Sequence, residues 1–238
     1  MTRNNLRRYA LWQMRDFGRD RAIALLIIGV ALGFAIVAPV RMMHVAVTEL
    51  TAKQLIAASL QQVVYICAFI ALNGIVSNDR KLGYYRFLFS KPVSIPAYYA
   101  QQFVIYLVGF LAVMAILLGL FAFFIYPLSP VAPLTYSAIV FLSLGGVAFF
   151  ISTLFRFDWP ILAGVLAVSL FTNGIWGDSE GWRHMVVAVL PPFNKLSGML
   201  PSLIDQGTVD TNNLLWLLGY NLLFFLAGIF VLRRRPFS

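Results

Sequence analysis

Residues 73–94, NGIVSNDRKLGYYRFLFSKPVS, bring one carboxylate, four basic side chains, hydroxyls and aromatic rings into 22 positions. Such a stretch is too polar to cross a bilayer. With Leu82, Tyr84, Tyr85, Phe87, Leu88 and Phe89 it is also too apolar to be a solvated linker. The expected element is a short helix, over 78–96, that docks on something. Asp79 is placed to cap its amino end. Pro92 ends it by disfavouring helical geometry at Lys91, and Ser94 with Pro96 restarts helix.

Catalytic chemistry is hard to assemble from the remaining residues. There are nine acids in all, every one in a loop or at the end of an apolar run, and no GxSxG, HExxH or paired-carboxylate pattern. His44 and His184 lack a Cys, Asp or Glu at metal-ligand spacing, and the single Cys67 offers neither a disulfide nor a thiolate site. No GxxxxGK[ST] loop is present to cradle ATP phosphates, and Leu196-Ser197-Gly198 is a chance likeness to the ABC ATPase signature. The chain therefore reads as a non-enzyme that binds no cofactor or metal itself.

The elements that position these residues are apolar runs. Hydrophobic residues make up 61% of the chain and charged ones only 11%, about half the charged share of a soluble domain. Six runs, 22–40, 55–77, 103–126, 134–155, 160–176 and 214–232, approach the ~20 residues that cross a bilayer. None contains Asp, Glu, Lys, Arg or His. The first is read as a retained span, because Pro39 and Arg41 stand where a signal peptide would show a cleavage pattern. The expected fold is all-α: one polytopic membrane domain, 22–238, with six transmembrane helices.

Charge orients it. Of 18 Lys and Arg residues, 14 fall in the amino-terminal segment, between spans two and three, between four and five, and after span six; Arg41, Lys53, Arg183 and Lys195 fall on the other side. The positive-inside bias then puts both termini in the cytoplasm of a plasma or prokaryotic inner membrane. The net charge of +9 reports topology and not a nucleic-acid partner.

Two further segments carry pattern. Over 1–21, Leu6, Ala10, Met14 and Phe17 form a stripe opposite Arg8, Arg15 and Arg19, as in an interfacial amphipathic helix lying on anionic membrane lipid. The outer segment 177–213 holds two short apolar runs, 185–190 and 196–204, broken by Pro191, Pro192, Gly198 and Pro201. Both suit re-entrant helices before the last span, with a surface loop as the competing reading. Within the spans, Gln61, Gln62, Tyr65, Asn73, Asn173 and Asn221 are candidate pathway-lining residues; Thr172, Tyr106 and Tyr220 join them as interhelical hydrogen-bond glue. With no ionisable residue in a span, ion-coupled transport is disfavoured.

The topology and the 73–94 motif together resemble the ABC-2-type exporter permeases. In that family the second helix runs into an acid-basic pair, a glycine, an arginine, a short apolar stretch and Ser-x-Pro-Val/Ile-Ser. Here these are Asp79, Arg80, Gly83, Arg86, residues 87–89, Ser90, Pro92, Val93 and Ser94. The resemblance implies a permease subunit of an ATP-driven exporter for a hydrophobic, peptidic or lipid-like substrate. It also implies a separate cytoplasmic ABC ATPase carrying ATP and Mg, and a second permease subunit in a homo- or heterodimer. Leu82, Tyr85, Arg86 and Phe89 lie at helical spacing and would form the face of a coupling helix on that ATPase. Contacts through Arg15, Phe17 and Arg19, or through 156–158, would add to it. The alternative is a membrane scaffold or assembly factor that transports nothing.

Overall fold

The computed structural model describes residues 3–42, 49–81, 83, 94–124, 129–155, 158–177 and 180–234. Among them there is no strand. Helices are α1 (Arg3–Phe17), α2 (Ile23–Met42), α3 (Glu49–Leu72), α4 (Ser77–Lys81), α5 (Ile95–Phe124), α6 (Val131–Leu154), α7 (Asp158–Trp176), α8 (Trp182–Val189), α9 (Met199–Asp205) and α10 (Thr211–Arg234). A π-helical turn, Gly18–Ala22, joins α1 to α2, and a 3-10 turn, Phe193–Leu196, precedes α9.

Five segments are long and apolar enough to cross a bilayer: Ala57–Asp79, Ile95–Phe124, Val131–Leu154, Asp158–Trp176 and Thr211–Arg234. They mark the chain as an integral membrane protein. α2 is a further 20-residue helix whose one charged residue is Arg41.

The helices are not equivalent. α6 is the axis: 78% of its apolar window is buried, against 11% for α7 and 17% for α10. It packs on α3, α5, α7, α9 and α10. Small residues make this approach close. A Cβ at Gly146 would overlap the backbone carbonyl and carboxamide of Asn221, and one at Gly228 would lie 2.7 Å from the Phe149 ring. Phe149 and Phe103 both pack on Phe225 with tilted rings, at 4.7 and 5.2 Å between ring centres.

α1 meets the bundle by a face that shares Phe17 with its apolar stripe and leaves Met14 of that stripe outside. Gln13, Phe17 and Arg21 are buried while Leu11 and Met14 are exposed. Phe17 rests on Gly109 and the Tyr106 ring, Tyr9 meets Tyr98 edge-on, and the Gln13 amide donates to the Tyr98 carbonyl at 3.4 Å. The exposed Leu11 and Met14 remain free to face lipid, and Arg15 and Arg19 are exposed as well. The side chains of Leu6 and Arg8 lie outside the description. No non-helical residue separates α1 from α2, because the π turn carries the helix through.

At the far end of the bundle, the segment between α7 and α10 folds back onto it. Phe193, Leu196, Met199, Leu200 and Leu203 are core residues, while Trp182, Met185 and Val189 of α8 are exposed. Carbonyls at the segment's turns and helix ends are met by hydroxyls from the long helices. Ser169 donates to Pro191, Tyr65 to Phe193 and Tyr136 to Leu196, the last two at 3.4 Å, and Tyr220 donates to Val189 at 2.7 Å.

A branched side chain at Gly146 has to force α6 and α10 apart. Gly146→Val is expected to cost about 1–3 kcal/mol, read as a lower melting temperature of the detergent-purified protein. Unchanged melting would contradict this packing.

Candidate functional site

The site lies at the end of the bundle where α3 stops. Its helix ends at Leu72, and Gly74 takes φ +72°, a left-handed conformation that only glycine adopts without strain. The chain turns through 73–76 and re-enters helix as α4, which leads into the 78–96 segment. Breaking a helix leaves carbonyls at its end and N–H groups at the next start without partners. Here other elements supply partners for four of them at close range.

The Gly74 N–H donates to the Asp158 carboxylate at 2.9 Å, from the first residue of α7. The Val76 and Ser77 N–H groups both donate to the Ser152 hydroxyl oxygen, at 3.0 and 2.9 Å, from the last turn of α6. On the other side the Ala71 carbonyl accepts from Arg21 in the π turn, whose guanidinium also lies 4.4 Å over the Tyr106 ring of α5. Just beyond the turn, the Tyr99 hydroxyl donates to the Asp79 carboxylate at 3.2 Å. Asp79, expected to cap a helix, sits inside α4 and is tied to α5 instead. Asp158 is 2% exposed, and Arg21 and Asp79 are 8% exposed each.

Between the π turn and this joint is a polar cleft of about 290 Å³. Asp16, Arg19, Asp20 and Arg21 line it from the amino-terminal side, Asn78, Asp79, Gln102 and Tyr106 from the other. A π turn carries its residues around the axis more slowly than an α turn, which helps bring three consecutive charged residues to one cleft. Burial, with the nearby Asp20 adding to it, raises the Asp16 carboxyl above its ordinary 3.8; Arg21 and Arg19 pull the other way.

Of the coupling residues expected from sequence, Asp79 is in the joint and Gly83 follows it with φ +69°. Leu82, Tyr85, Arg86, Phe89 and Pro92 lie outside the described residues, as does the Arg80 side chain. The candidate pathway residues are dispersed. Asn73 heads the turn, Gln62 is exposed, Gln61 is half-buried, and Asn173 accepts the Gly177 N–H at 2.9 Å through its backbone carbonyl. Tyr65 holds the folded-back segment, and the buried Asn221 accepts from the Gly146 N–H, so both act as ties between elements. An apolar cleft between α2, α3 and α5, lined by Gly29, Leu60, Val63, Met114 and Leu117, contains none of the six. Among the described residues no three His, Cys, Asp or Glu side chains are grouped to hold a metal.

Sequence reasoning missed Arg21, Tyr99, Gln102 and Ser152. The first passes for a topogenic charge. The others are polar residues within one or two turns of the ends of apolar helices, and that shared position is the signal that was available.

Ser152→Ala strands two buried N–H groups and is expected to cost about 1–3 kcal/mol for each that stays dry; a variant that melts like wild type would show the joint is held otherwise. For Asp16, folding raises the carboxyl's affinity for its proton. Its contribution is therefore complete below the unfolded value and is lost as pH rises through the folded one. Asp16→Asn should flatten the stability profile from roughly pH 4 upward and melt at a higher temperature at neutral pH, as thermal scans across pH will read. No family model, curated protein or solved structure matches the chain.

Proposed function

We propose that the chain is the membrane-spanning permease subunit of an ATP-driven exporter of the ABC-2 type. In this reading α2 is the first of six spans, both termini are cytoplasmic, and the folded-back segment caps the outer side. A separate cytoplasmic ATPase docks on 78–96 and holds ATP and Mg. A second permease subunit, identical or related, completes the route for a hydrophobic, peptidic or lipid-like substrate.

One observation carries the reading: the joint that leads into 78–96 is fastened to four other elements at once. A docking segment transmits force only if its root cannot swivel. Asp158, Ser152, Tyr99 and Arg21 couple that root to α7, α6, α5 and the π turn. Displacement of the segment would be felt by three long helices together, as alternating access requires. The described spans carry their charged residues only at their ends, which agrees with a route for amphipathic cargo and not for a small ion.

Pull-down of the tagged chain from its native membrane is expected to bring down a stoichiometric ATPase with Walker motifs. A stable complex without any ATPase would replace the exporter with the scaffold reading. In the reconstituted complex, Arg86→Glu and Gly83→Pro are each expected to leave insertion intact and to uncouple ATP hydrolysis from transport. Wild-type transport by both would remove the coupling role of the segment.

A further inference from the structure

The polar cleft beside the joint carries more acceptors than the fold uses. Among the described residues that line it, three carboxylates, Asp16, Asp20 and Asp79, face two guanidiniums, Arg19 and Arg21. Arg21 is already committed to the Ala71 carbonyl and the Tyr106 ring. Gln102, 4% exposed, gives its amide N–H to the Tyr106 hydroxyl at 3.1 Å, and its own carbonyl oxygen Oε1 is buried with no partner among the described residues. Buried polar atoms are nearly always hydrogen-bonded, so an orphan lining a cleft points to a missing donor. A primary ammonium group brings three N–H donors, no acceptor and one positive charge, which is what an excess of carboxylate and carbonyl oxygen requires. The Trp12 side chain adds an aromatic group to the lining, and a ring beside a cation is favourable when the cation reaches its face.

The surroundings indicate the source. Trp12 lines the cleft and is 39% exposed, and on the same helix Leu11 and Met14 are 71% and 59% exposed. Exposed apolar side chains next to an interfacial tryptophan, at the end of helices that cross a bilayer, are placed to lie on acyl chains. A volume of about 290 Å³ has room for a headgroup amine and not merely a water or two.

We propose that this cleft binds the primary ammonium of an aminophospholipid headgroup whose acyl chains lie against α1. The inference stands apart from the exporter reading, since a scaffold with this cleft would bind the same group.

The test is thermal unfolding of the full-length protein in detergent, at one pH, with phosphatidylethanolamine, phosphatidylcholine or phosphatidylglycerol of matched acyl chains, and with free ethanolamine. Phosphatidylethanolamine is expected to raise the melting temperature by a few degrees. Phosphatidylcholine, which has no ammonium N–H, and anionic phosphatidylglycerol are expected to give less than a third of that increment. Asp79→Asn should abolish the increment. Should that variant not fold, Asp20→Asn, at an exposed position, is expected to halve it at least. Equal shifts from the three lipids, or an increment untouched by the substitutions, would overturn the site. Free ethanolamine reproducing the full increment would overturn the lipid as source while keeping the ammonium.

Discussion

A helix that stops at the edge of a bilayer must hand its unpaired carbonyls and the next element's unpaired N–H groups to something other than water. At residues 71–77 that requirement is met by Arg21, Asp158 and Ser152, one side chain each from the π turn, α7 and α6. Tyr99 of α5 fixes Asp79 one step further along. The break in α3 is thus what gathers the other helix ends around it. The same logic recurs at the opposite end, where hydroxyls of Tyr65, Tyr136, Ser169 and Tyr220 meet carbonyls at the turns and helix ends of the folded-back segment.

Between these two ends the bundle is held by contact rather than by polarity. α6 is mostly core: its glycines admit the Asn221 carbonyl and the Phe103 ring, and Gly228 of α10 admits the Phe149 ring, at distances that a methyl would forbid. α7 and α10 leave most of their apolar surface outward, which suits lipid. A rigid axis with polar joints at its ends can pass a displacement at one joint to several helices without melting any of them. That property links the fold to the function proposed for it.

The long helices were legible in the sequence because length and apolarity alone define them; four of the five that qualify begin and end within about three residues of the expected runs, while α5 begins at Ile95, two turns before the expected 103. The joint was not. Arg21, Ser152 and Asp158 stand 50, 76 and 84 residues from the groups they bind, and no local pattern connects such pairs. The amphipathic stripe of α1 shows the same limit: Ala10, Met14 and Phe17 share an apolar face, but two such faces compete in a membrane protein, one for lipid and one for protein. Burial of Gln13 and Arg21 beside Phe17 came from partners on α5 and α3 that composition does not reveal. Asp79 was visible as part of a motif, and its bond to Tyr99 was not.

The central claim is that the turn at 73–77 is a clamped joint and not a loose hinge. Hydrogen exchange of its backbone amides measures this directly. The Gly74, Val76 and Ser77 amides should exchange about as slowly as those of α6 in the wild-type protein. In Asp158→Ala they should exchange at least tenfold faster, equivalent to about 1.4 kcal/mol of lost protection, while α6 is unchanged. Fast exchange at the turn in the wild type, or no change on removing the carboxylate, would contradict the account.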